Sequence, residues 1–231
     1  MPAELTLAQA TRLAAWLSPS FPIGAFSYSH GLERAVEAGD VTDEGSLARW
    51  LGELLRFGSG RGEAVLFACG FDAAGERARL LEVAELGEAL RPSAELALEA
   101  ACQGQAFLGA VANAWPHPGL DAIARWHEEA GLAPVLPVVA GAACRVHRLP
   151  RAGSLALYLH AFFANLVSAG VRLVPLGQSA GQRVVVALEA GILAAAADAA
   201  RATLSDLGSA CPAAEILSMQ HETQYTRLFR S

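Results

Sequence analysis

The side chains able to do chemistry in this chain are few and stand far apart. The six histidines are His30, His117, His127, His147, His160 and His221, and no two take the His-x-x-x-His spacing that puts two metal ligands on one helix face. Cys69, Cys102, Cys144 and Cys211 form no Cys-x-x-Cys pair, so they read as buried thiols rather than a zinc or redox motif. Ser27, Ser29 and His30 place hydroxyls beside an imidazole, but the Gly-x-Ser-x-Gly elbow of a serine nucleophile is absent. The chain has no lysine, all 17 basic residues being arginine, and the usual Walker A phosphate loop needs one. No catalytic or metal-ligating set follows from these residues. One constellation stays open: Tyr28, His30, His160 and Phe163 could line a pocket in an all-α enzyme or small-ligand-binding protein.

The totals favour a protein that docks. At 231 residues, 53% hydrophobic and 17% charged, the chain can bury roughly 70% of its unfolded surface without disulfide staples. Residues 1–130 carry 18 acids against 9 arginines, and residues 131–231 carry 5 acids against 8 arginines. The acidic first part argues against nucleic-acid binding, and the opposed ends suit docking by complementary fields. No apolar run reaches the roughly 18 residues of a membrane span without a charge or a breaker, and the first thirty residues lack a signal-peptide pattern. The reading is a cytoplasmic protein.

The elements that must position these residues read as helices. Leu47, Trp50, Leu51, Leu54 and Leu55 recur at i, i+3, i+4, i+7 and i+8, an amphipathic helix that Asp40 or Thr42 would cap. Other helices are expected over Thr6–Leu17, Ser27–Ala38 with Ser27 as cap, Glu63–Asp72, Glu76–Leu90, Ser93–Ala114 and Asp121–Ala130, while apolar Leu132–Val146 reads as a buried helix after Pro137 or as a strand. Another should start at a Ser154 cap after a Pro150–Gly153 turn, and a last long one covers Arg183–Leu204, interrupted near Gly191. Gly58-Ser-Gly-Arg-Gly62 follows a helix, so it reads as a helix–helix joint rather than a phosphate cradle. Val171 to Gln182, with one proline and two glycines, reads by pattern as a strand and turn. The expected fold is an all-α single domain, 1–231, of roughly ten helices.

Two stretches stand out as interaction elements. Leu17 to Glu33 contains Phe21, Pro22, Ile23, Gly24 and Phe26; no helix runs through Pro19 to Gly24, yet the stretch is too apolar for an ordinary exposed loop. It reads as an apolar plug that enters the core and presents Tyr28 and His30. The tail, 216–231, carries His221, Glu222, Tyr225, Arg227, Leu228 and Phe229, and aromatic anchors beside arginine are what interfaces favour. Because it is terminal, it is expected to be loosely held.

The plug string Phe-Pro-Ile-Gly-Ala-Phe-Ser-Tyr-Ser-His-Gly-Leu-Glu closely resembles the opening signature of the urease accessory protein UreF family. Val-Arg-Leu-Val-Pro-Leu-Gly-Gln with Gly181-Gln182, and Met-Gln-His-Glu-Thr-Gln-Tyr-Thr-Arg-Leu-Phe-Arg-Ser, resemble its second and C-terminal signatures. The three stand in order from residue 17 to 231, while 63–151 matches loosely. The resemblance implies an all-α homodimer that binds the accessory protein UreD/UreH and, through it, the GTPase UreG. That assembly couples GTP hydrolysis to delivery of nickel into urease apoprotein, so nickel is handled by the complex and this chain needs no cofactor of its own. Arg227 matches the family's tail arginine; Pro175, Gln178 and Gln182 carry over only as signature. Imidazole suits nickel, which leaves His30 and His221 as candidates for a passing contact.

Overall fold

Caps and glycines set the helix boundaries in the computed structural model, which describes residues 4–231. The helices are α1 (Leu7–Trp16), α2 (Leu32–Ala38), α3 (Glu44–Phe57), α4 (Ser59–Ala73), α5 (Arg77–Ala89), α6 (Ala94–Ala114), α7 (Pro118–Ala130), α8 (Leu136–Val146), α9 (Arg151–Leu173), α10 (Gln178–Ala199) and α11 (Pro212–His221), with no strand among the described residues. The fold is all-α, as the periodicity predicts.

The expected boundaries change where a neighbour overrides local preference. Ser27 ends a 3-10 turn (Ala25–Ser27) and caps nothing; Tyr28 is extended, and α2 begins only after Gly31, at φ +75. Gly31 lies so close to α11 that a Cβ there would sit 3.1 Å from the Ser218 backbone. Asp43, not Asp40 or Thr42, caps α3 through a reciprocal bond with Ser46. The Gly58–Gly62 joint shrinks to Gly58, the rest forming the first turn of α4. Arg151 already belongs to α9, so Ser154 is a buried helical residue rather than a cap. Val171–Leu173 completes α9, because packing against α10 outweighs the β-branched pattern. Gly191 does not interrupt α10.

The core is centred on α4 against α8. A Cβ on Gly70 would overlap the Val138 carbonyl, and one on Gly141 the Phe67 carbonyl, so the two backbones touch. Gly104 brings α6 equally close to Pro134. By length and composition α9 and α10 are long and apolar enough to cross a membrane, though Arg183 and Glu189 interrupt α10 and Gly153 and Gly170 break the uncharged stretch of α9. In α9 that apolarity supplies the core with Leu155, Leu159, Phe163 and Leu166. The remaining elements carry the site: α2 packs on α9 and α11, and α11 on α6.

Candidate functional site

The plug divides into two halves. Phe21 turns inward, its ring centroid 5.6 Å from Phe107 and 6.5 Å from Trp115, and Ile23 also packs on the core. Pro22 and Gly24, at φ +72, make the exposed corner. Beyond it Phe26 is 65% exposed, so the expectation that the whole plug enters the core is corrected. The reason is Arg172 on α9. Its guanidinium carbon sits 3.9 Å from the Phe26 ring centroid and 4.3 Å from that of Phe229, and its Nη2 donates to the Phe26 carbonyl at 2.9 Å. A cation between two ring faces is attracted by both, and it joins plug to tail.

The tail runs beside the plug. Arg230 N–H donates to the Ser27 carbonyl at 2.8 Å, and Ser29 N–H donates to the Ser231 carbonyl at 3.0 Å. Ser231 is fully buried, its hydroxyl donating to Glu99 at 2.7 Å. The same Glu99 carboxylate meets His30 Nε2 at 2.9 Å and accepts from Gln103 at 2.9 Å. His30 holds φ +55, uncommon for a non-glycine, and the Glu99 contact draws it down.

Glu33 and Glu95 clasp the tail more directly. Leu228 N–H and Phe229 N–H donate to Glu33 at 2.7 and 2.9 Å. His221, with no exposed surface, lies 3.2 Å from Glu33 and 2.6 Å from Glu95. Arg227 also pairs with Glu95, leaving its side chain about a third exposed. Glu222 accepts the Ala94 N–H at 2.7 Å, at the start of α6. The expected loose tail is therefore seated on its own body, because buried carboxylates need donors and the tail supplies them.

A second buried ionic centre lies deeper. Glu63 takes Arg91 at 2.8 Å and the Tyr158 hydroxyl. Burial first, then the Glu63 charge, push Tyr158 well above the usual phenol range, which keeps it a donor. Burial alone pushes the Cys144 thiol up to about 12, so it is an inert core residue. A cleft of about 90 Å³ between α4, α5 and α11 is lined by His30, Ser59, Arg91, Cys211 and Ser218 among others. The alternative pocket does not form: His160 is exposed, Phe163 is buried, and neither lines that cleft with His30. No cluster of three or more His, Cys, Asp or Glu is placed to hold a metal among the described residues.

The residues expected at a partner surface thus separate. Pro22, Gly24, Phe26, Glu222, Tyr225, Arg227 and Leu228 are exposed, whereas Tyr28, His30, His221 and Phe229 are buried and Phe21 is partly so. Tyr28 and His30, expected to be presented, instead lie beneath the tail's last residues. Glu33, Glu95, Glu99 and Arg172 escaped sequence reasoning. The available signal was that Glu33 closes the plug string; its partners lie about 190 residues away.

The family model described as UreF matches residues 41–189. The chain is 54% identical to the urease accessory protein UreF of Xanthobacter autotrophicus over 223 residues, covering 95% of this chain and 90% of that one. It is 51% identical to that of Azorhizobium caulinodans, covering 96% and 95%, and 50% identical to that of Rhodopseudomonas palustris, covering 95% and 92%. These alignments extend the likeness past the matched middle toward both plug and tail.

Proposed function

This chain belongs to the UreF family of urease accessory proteins, which serve urease maturation, and from that premise we propose that it is a non-enzymatic scaffold. It binds UreD/UreH, and through that protein brings UreG to urease apoprotein for GTP-dependent nickel insertion. It acts in the cytoplasm as a homodimer and engages neither nucleic acid nor membrane. The observation that carries this reading is the face where plug meets tail. Phe26, Leu228 and Tyr225 stand 65%, 64% and fully exposed there, beside Arg172 and Arg227. Exposed apolar groups rimmed by arginine are costly in a free chain and productive in an interface.

The test is capture of purified UreD/UreH by the full chain and by a chain ending at Glu222, which keeps α11. The full chain is expected to retain UreD/UreH and the shortened one to lose it. Equal capture sinks the reading. Arg227→Ala should weaken capture by about 1–3 kcal/mol, the scale of a charged hydrogen-bonding anchor. Titration of the pure chain with magnesium-GTP should give no micromolar binding, since the lysine of a phosphate loop is lacking. Sedimentation equilibrium should report twice the chain mass.

A further inference from the structure

We propose that Glu33 is the positioning residue of the tail, holding residues 227–229 in the one bent conformation that turns Phe229 inward and Leu228 outward. The proposal rests on the docking reading of the tail given above and names the group that presents it. Glu33 sits on the first turn of α2 with its side chain 9% exposed. One carboxylate oxygen accepts Leu228 N–H at 2.7 Å and the other accepts Phe229 N–H at 2.9 Å. Successive N–H groups in an extended chain point to opposite sides. Two neighbours that reach one carboxylate therefore need a bent backbone, and residues 228 and 229 form a bend. The bend therefore comes with the carboxylate. Its consequence is visible in burial: Phe229 is 4% exposed and reaches the Arg172 guanidinium, while Leu228 beside it is 64% exposed.

The surrounding charges keep Glu33 aimed. His221 bridges it to Glu95, and Glu95 in turn holds Arg227. Both flanks of the bend are thus fixed: Arg227 before it by Glu95, and Ser231 after it by Ser29 and Glu99. Among the described residues, Glu33 is the acceptor for the backbone N–H groups of Leu228 and Phe229 in the bend.

Hydrogen exchange of residues 222–231, read by mass spectrometry in the full chain, tests this directly. Glu33→Gln keeps the shape but replaces one acceptor oxygen with a donor, so one amide loses its partner. Exchange of the segment is expected to rise about tenfold or more, the scale of a hydrogen bond to a charged group, with α4 and α8 unchanged. Leu228→Pro removes one bound amide proton without touching α2, and should give the same rise even if the Glu33 variant folds poorly. Capture of UreD/UreH by the full chain should fall with Glu33→Gln toward the level of the chain ending at Glu222. Unaltered tail exchange in both variants overturns the positioning role, as does undiminished capture by the full Glu33→Gln chain. Equal capture by the unsubstituted full and shortened chains overturns the docking reading instead.

Discussion

Glu63 and Glu33 pose the same physical problem and meet different answers. Both are buried, 3% and 8% exposed, and an ionised carboxylate away from water must find donors. Glu63 finds them in Arg91 and Tyr158, side chains fixed within the folded body. Glu33 finds them chiefly in the backbone of the last residues of the chain. The first centre can be opened only by disturbing the helices. The second would open if the tail lifted, which would return Glu33 to water. One carboxylate is thus tied within the body, and the other to residues 228–229.

Breaking the first centre should have the largest effect. Arg91→Ala strands Glu63 with Tyr158 alone and is expected to cost about 3–5 kcal/mol, the range for removing one partner of a buried ion pair; urea unfolding followed by circular dichroism reads it. Next comes the backbone contact of the body: Gly141→Ala drives a methyl into the Phe67 carbonyl and should cost about 1–3 kcal/mol by overpacking. Arg172→Ala removes the cation between exposed Phe26 and buried Phe229 and should weaken UreD/UreH capture by roughly 1–2 kcal/mol, the scale of two cation–π contacts at a partly exposed arginine. The smallest change in global stability sharpens the contrast. Phe229→Ala should fall well short of the roughly 3–5 kcal/mol of a core phenylalanine, because the tail can undock rather than carry a cavity. Its melting temperature should match that of the chain ending at Glu222. If Phe229→Ala and the shortened chain both melt many degrees below the unsubstituted full chain, the tail is part of the body and the comparison fails.

The helical architecture was legible because its signals are local. The Leu47–Leu55 face needs only neighbours within a turn or two, although the cap of that helix falls on Asp43 rather than on Asp40 or Thr42. Ser27 was misread for the opposite reason: its hydroxyl suits a cap, but the residues after it are pulled to Glu99 and to the Ser231 backbone, contacts with no local trace. Val171–Leu173 reads as a strand on its own and becomes helix only because α10 lies against it. At the site, the aromatic and arginine residues announced themselves by composition. The acids that seat them did not. Glu33 in an amphipathic segment looks like any solvated charge until the tail returns to it, and Arg172 looks like one surface arginine among many until two rings close on it.

The distance along the chain between Ser29 and Ser231 also fixes an order of events in biosynthesis. The helices that carry Glu33, Glu95 and Glu99 are made long before residues 228–231, which reach the Glu33 and Ser29 positions across 195 to 202 residues. Chains fold progressively from the N-terminal side as they are made, and contacts this remote are the last for which loop-closure entropy is met. The body is thus expected to begin folding with its clasp open and to close it only once residues 228–231 have been made. In refolding, fluorescence of the Trp16–Trp115 cluster should recover before amide protection at Leu228 and Phe229. A partner present during that interval would meet the tail before Glu33 does.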